Sequence, residues 1–368
     1  MFQLSPSSRI RRSPFFEATV EEGVTAVTAY NQMLMPTGFG DPEGEYWRLM
    51  NGVAMWDVAC ERQVQLQGPD ADTLAQILTT RDLTKIEVGQ GKYVALCNSA
   101  GTLINDPIIT KVDERRYWFS IADSNILFWA RAIASERRLD VSVGEPDASP
   151  LAIQGPRAED VVASIFGDWV RQIRHFWCRD AIIEGIPTKI ARSGWSKQGG
   201  YEIYLLDRAK GCKLWQLVRE AGRSWNIGPG NPNEVERTES GLLSWGGDTD
   251  DETNPFEVRL GRFVDLDLPD DVIGIAALRD IHAAGPRRHQ LGIVLDVEDE
   301  LLPAGRWLTL MLEGRHIGHM TNNVWSYRLN RNIGFGLVET ACRPGDRIEV
   351  IIDDKVLSGR AAELPFLS

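Results

Sequence analysis

Two carboxylates stand where this chain could put them to chemical use. Glu202 lies in the segment ARSGWSKQGGYEIY, residues 191–204. Tyr201, Ile203 and Leu205 alternate there with Glu202 and Tyr204, which is the period of a strand. Gly199 and Gly200 just before it allow the backbone to approach a ligand closely. Spacing alone leaves two uses open for Glu202: a recognition group, or the wet face of a glycine-containing hairpin. Asp106 lies between the apolar pairs Leu103-Ile104 and Ile108-Ile109, with Pro107 next to it. Burial there would raise its pKa and let it hold or accept a proton near neutrality. Pro107 favours extended backbone at Asp106 and removes the next N–H donor. The other reading of Asn105-Asp106-Pro107 is a plain turn.

The elements that must carry these residues follow from periodicity. Residues 62–68 alternate as a strand, 71–78 read as a helix and 91–98 as one strand. A hairpin spans 107–121, turning at Asp113-Glu114-Arg115-Arg116. Asp123 or Ser124 is placed to cap a helix running to about Arg138, with Ile126, Leu127, Ala130 and Ile133 on its apolar face. A helix over 157–166 stops at Gly167, strands fall around 180–192 and 200–206, and a helix over 209–221 stops at Gly222. From about Arg288 onward the pattern is short strands with Gly and Asp turns, a small barrel or sandwich. Strands and helices are segregated, so the fold class is α+β.

Composition narrows the function. The 368 residues are 43% hydrophobic and 25% charged, enough for two or three globular domains. A net charge of −12 speaks against nonspecific nucleic-acid binding. No apolar run approaches the ~18–20 residues that span a bilayer, and the first residues lack the apolar core of a signal peptide. The five scattered cysteines suit reduced thiols in a cytoplasmic protein, and the five histidines form no metal-binding motif. Gly228-Pro229-Gly230-Asn231-Pro232 lacks the third glycine and preceding strand of a dinucleotide loop.

Several colinear segments together resemble one family. Arg192, Gly194, Gly200, Glu202 and Ile203 fit the frame R-T-G-Y-T-G-E-D-G-F-E-I, with Trp195 and Tyr201 at its aromatic positions. Residues 53–58 and 66–71 are similar to G-L-F-D-V-S and V-T-G-P-D-A, and residues 93–107 to Y-x-x-x-x-N-x-x-G-G-x-x-D-D-L. Arg237-Thr238-Glu239-Ser240-Gly241-Leu242, continuing to Trp245-Gly246-Gly247-Asp248, resembles R-L-E-A-G-L-x-x-Y-G-x-D. Asn254-Pro255-Phe256-Glu257, Gly318–Asn322 and Asn332–Val338 echo three further stretches. This is the pattern of the aminomethyltransferase family, the T-protein of glycine cleavage and its folate-dependent demethylase relatives. Lys197-Gln198-Gly199 replaces the G-E-D core, which resembles the branch containing dimethylsulfoniopropionate demethylase.

The resemblance implies a three-domain cloverleaf with a central folate-binding channel and a C-terminal β-barrel. Its first domain would be 1–56 with 147–275, its second 57–146 and its barrel 276–368. It implies tetrahydrofolate as cofactor and a small-molecule methyl donor, with a homodimer left open. Asp106 would be the catalytic carboxylate beside the pteridine. Tyr93, Glu202 and Arg237 would complete the folate site, although an ordinary ion pair of Arg237 with Glu234 also fits the spacing. Ala29 and Tyr30 match the family's substrate strand, and Trp195 and Tyr204 would wall the donor side, where aromatic faces hold a sulfonium or quaternary ammonium at ~0.5–2 kcal/mol each. The implied reaction moves a methyl group from a sulfonium donor to N5 of tetrahydrofolate. Two alternatives stand beside it: the aminomethyl transfer of glycine cleavage, and non-catalytic folate binding.

Overall fold

The alternation of apolar residues sorts the strands into three main sheets. The computed structural model describes residues 7–301, 303–353 and 355–367. The first sheet has six strands, in the order Cys178–Ile183, Ile186–Ala191, Gly200–Leu205, Ser149–Gln154, Ala54–Asp57 and Gly228–Gly230. All neighbours are antiparallel except the last pair. Leu151, Ile153, Ile190, Tyr201, Ile203 and Leu205 bury one face of it against Val161 and Val162 of helix Ala158–Phe166, and Leu214, Trp215 and Val218 of helix Gly211–Ala221. Burying each such aliphatic side chain contributes roughly 1.5–3 kcal/mol. Gly167, at φ 95°, ends the first helix as its position implied.

A five-stranded sheet is built wholly from residues 63–144, in the order Ser142–Gly144, Gln63–Gln67, Arg116–Ser120, Ile108–Asp113 and Gly91–Tyr93. Two expectations fail here. Residues 91–98 are not one strand, because the Ala95 carbonyl is taken by the backbone N–H and hydroxyl of Thr80. The chain therefore leaves the sheet after Tyr93, and Leu96–Cys97 pairs with Leu103–Asn105 instead. The helix after residue 123 runs Ile126–Glu136 behind Asn125 without a side-chain cap. Asp123 and Ser124 are engaged by Asn31: Asp123 accepts from the Asn31 backbone N–H, and the Ser124 N–H donates to the Asn31 side chain.

The third sheet is the C-terminal barrel. Arg288–Leu295, Lys355–Ala362, Arg347–Ile352, Leu308–Leu312, Arg315–Met320 and Arg331–Glu339 follow one another around it. Pairing of Arg331–Glu339 back to Arg288–Leu295 closes the ring, and Val324–Ser326 adds to its outside edge. Leu291, Ile293, Leu310, Ile317, Met320, Val338 and Val350 fill it. Gly318 sits at φ 141°, where an added Cβ would lie 2.2 Å from the Leu337 carbonyl oxygen. Gly318→Ala should therefore cost about 1–3 kcal/mol of stability, read as a lower urea midpoint.

The chain divides into two compact units. One gathers residues up to Leu74 with Ile86–Lys92 and Ile108–Asn233; the other holds Ala75–Lys85, Tyr93–Pro107 and the chain from Glu234. Among the described residues no helix is long and apolar enough to cross a membrane. All five cysteines are free thiols.

Candidate functional site

In the second unit, the turn after Leu103–Asn105 delivers Asp106 to Tyr93. The Tyr93 hydroxyl donates to Asp106 Oδ2 at 2.6 Å. Asp106 is half-buried, and its carboxylate loses hydration there. That lost hydration pushes its pKa up to about 7; the Tyr93 hydroxyl and its own backbone N–H oppose the rise and the charge of Asp248 adds to it. The group thus titrates near neutrality, as a proton acceptor must. Burial, followed by the Asp106 charge, drives the Tyr93 phenol well above its ordinary value, so it stays a donor. The Tyr93 ring meets Phe263 edge-on at 5.0 Å. Trp245 packs in the same apolar cluster, and its buried indole N–H has no hydrogen-bond partner among the described residues.

Arg237 is 3% exposed, so an ordinary surface ion pair does not describe it. Its guanidinium donates to Asp248 Oδ2 at 2.7 Å, to Glu234 at 2.6 Å and to the Leu242 carbonyl. Asp248 is fully buried and also accepts from the Thr321 hydroxyl at 2.8 Å and the Ser244 N–H at 2.9 Å. The helix Glu234–Glu239, the loop 242–248 and the barrel residue Thr321 are tied together through this one carboxylate. Asp248→Asn should lower stability by about 2 kcal/mol, since a hydrogen bond between buried charges is weakened; thermal unfolding checks it.

In the first unit, Glu202 occupies the middle of strand Gly200–Leu205, between Ala191 and Ala152 on the neighbouring strands. It is 5% exposed, which removes the wet-face reading. Alternation sends Tyr201 and Ile203 into the core and leaves Glu202 with Tyr204 on the other face. The row across that face runs Ala191, Glu202, Ala152, Trp56 and Gly230, so small residues flank the acid. Glu202 Oε2 accepts from the Ser193 hydroxyl and from Tyr204 OH at 3.1 Å. Its Oε1 has no donor among the described residues. Burial pushes the carboxyl up, against the two hydroxyls that favour the ionised form. A fixed carboxylate with one oxygen spare suits a partner offering N–H groups.

The remaining residues are spread over the same unit. Tyr204 is 8% exposed and packs with Trp118 at 6.1 Å between ring centres. Trp195 is half-buried in the loop that brings Ser193 to Glu202. Tyr30 packs against the first unit's core, at the end of the hairpin Ala26–Gly38, while Ala29 opposite Leu34 is exposed. Sequence reasoning passed over Ser193, Trp245 and Asp248. The last two stood in the segment matching Y-G-x-D, where Trp245 replaces tyrosine.

Known proteins share this layout. The GCVT N-terminal domain family matches residues 15–268, and the glycine cleavage T-protein C-terminal barrel domain family matches residues 288–367. The chain belongs to the glycine cleavage T-protein family. It is 40% identical to dimethylsulfoniopropionate demethylase DmdA of Ruegeria pomeroyi over 96% of both chains. It is 28% identical to an aminomethyltransferase of Symbiobacterium thermophilum over 97% of both. The glycine cleavage system aminomethyltransferase T of Bartonella henselae has the same fold, with a TM-score of 0.84 at 21% identity over 97% of this chain and 98% of that one.

Proposed function

We propose that this protein is a tetrahydrofolate-dependent methyltransferase that demethylates a sulfonium acid such as dimethylsulfoniopropionate. It is an enzyme of one-carbon transfer, and tetrahydrofolate is its acceptor. The observation that carries the reading is Asp106, held by the Tyr93 hydroxyl and titrating near neutrality. The sulfonium class is supported by the name of the 40% identical relative and by Lys197-Gln198-Gly199 in place of G-E-D.

A sulfonium needs no acid to leave, because its departure as a thioether neutralises its own charge. Tetrahydrofolate supplies N5, whose lone pair forms the new carbon–nitrogen bond as the carbon–sulfur bond breaks. Asp106 takes the proton that N5 loses, and Tyr93 keeps that carboxylate aimed. Glu202 binds the amino and ring N–H edge of the pteridine through its spare Oε1, with Ser193 and Tyr204 fixing the other oxygen. Arg237 acts as a positioning residue through Asp248, whose charge bears on Asp106. Trp195, Tyr204, Tyr30 and Ala29 are assigned to the donor side, where alignment and exclusion of water do the remaining work.

The three-sheet layout supports a division into domains 1–56 with 147–275, 57–146 and 276–368. Free thiols support a cytoplasmic setting, and a homodimer is compatible with these roles. Incubating the protein with tetrahydrofolate and a panel of sulfonium, betaine and O-methyl donors tests the function. Methylated folate is expected from the sulfonium acid; release of ammonia from an aminomethyl-lipoyl protein would favour the glycine cleavage reaction instead.

A further inference from the structure

Two arginines lie over the aromatic ring that meets Tyr93, and a third shares their electrostatic neighbourhood. The Arg262 guanidinium lies 4.7 Å and that of Arg81 5.3 Å from the centre of the Phe263 ring. Arg81 is tied to the Tyr93 carbonyl at 2.9 Å, and Arg259, at φ 64°, to the Gly241 carbonyl at 2.9 Å. The charge of Arg262 bears on both Arg259 and Tyr93, so these groups share one electrostatic neighbourhood. Among the described residues none of the three makes an ion pair. This is unexpected in a chain of net charge −12, where other arginines such as Arg171, Arg237 and Arg288 each hold more than one carboxylate.

Uncompensated like charges, two of them held by backbone carbonyls, favour an anion, and guanidinium groups match a carboxylate in fork geometry. We infer that Arg81, Arg259 and Arg262 form an anchor for a substrate carboxylate beside the Tyr93–Asp106 pair. The inference rests on the proposed reaction, in which both substrates carry carboxylates: the sulfonium acid and the glutamate of the folate.

Titration calorimetry with the Arg259→Gln/Arg262→Gln double variant distinguishes the two sources. The probes are dimethylsulfoniopropionate, carboxylate-free trimethylsulfonium, tetrahydrofolate and tetrahydropteroate, which lacks the glutamate. Both side chains are exposed, and matching unfolding curves establish that the variant folds. A loss of about tenfold or more is expected for one carboxylate ligand and not for its carboxylate-free counterpart. Loss for dimethylsulfoniopropionate alone assigns the anchor to the donor; loss for tetrahydrofolate alone assigns it to the folate tail. Affinities within twofold of wild type, equal loss for the carboxylate-free probes, or no binding of either carboxylate ligand to wild type would each overturn the anchor. Product formation is scored separately: wild-type protein that binds through these arginines but never methylates folate keeps the anchor and loses the proposed function.

Discussion

Asp106→Asn is expected to lower kcat/KM for methyl transfer by about 10²- to 10³-fold, the range of a lost general base. Asparagine keeps the size and can still meet the Tyr93 hydroxyl, but it cannot take a proton. The same proton transfer sets a pH profile. The wild-type kcat/KM should rise with pH to a plateau, with its midpoint near the value of about 7 at Asp106. The variant's residual rate should lack that step. Stability should move the opposite way. The folded value lies above the ordinary 3.8, so the contribution of Asp106 to stability is complete below the unfolded value and is lost as pH rises through about 7. Asp106→Asn should therefore be at least as stable as wild type at pH 8, measured in urea. A variant that unfolds more readily there while keeping wild-type turnover would make Asp106 a structural residue.

The second large effect falls on binding. Glu202→Gln should raise the KM for tetrahydrofolate by about 10- to 100-fold, the worth of hydrogen bonds to a charged acceptor. The KM for the methyl donor should move far less. Glutamine fits the slot between Ala191 and Ala152 and can still receive the Ser193 hydroxyl, so the strand should survive. What changes is the charge, and with it one of the two acceptor oxygens, since an amide presents N–H groups to the N–H edge of the ligand. An unchanged KM for folate, or a larger change in the KM for the donor, would remove Glu202 from the pteridine.

Much of this fold is legible in the sequence. The alternation around Glu202 located the strand and set the acid opposite Ile203 and Leu205, but left open whether that face is wet; only the sheet shows it buried. Gly167 marked a helix end, and the turn-rich pattern after Arg288 marked a small barrel or sandwich, of which the structure has the barrel. Colinear motifs gave the family, and the matches over 15–268 and 288–367 bear that out. What was not legible depended on partners distant in the chain. Asp123 looked like a cap until Asn31, 92 residues away, claimed it. Residues 91–98 looked continuous because nothing local says that Thr80 will take the Ala95 carbonyl. Arg237 fitted a helix surface, and its partner Asp248 stood 11 residues on, in a loop whose path the barrel residue Thr321 helps to fix. Periodicity reports burial but not which polar groups will meet.

Supplying dimethylsulfoniopropionate with trideuteromethyl groups and tetrahydrofolate, then weighing the folate product, separates direct methyl transfer from passage through a methylene bridge. Direct transfer predicts 5-methyltetrahydrofolate that keeps the whole deuterated methyl group, in step with an equal amount of thioether acid. A folate product that has lost deuterium to a methylene bridge, or no methylated folate at all, would rule out direct transfer by this protein.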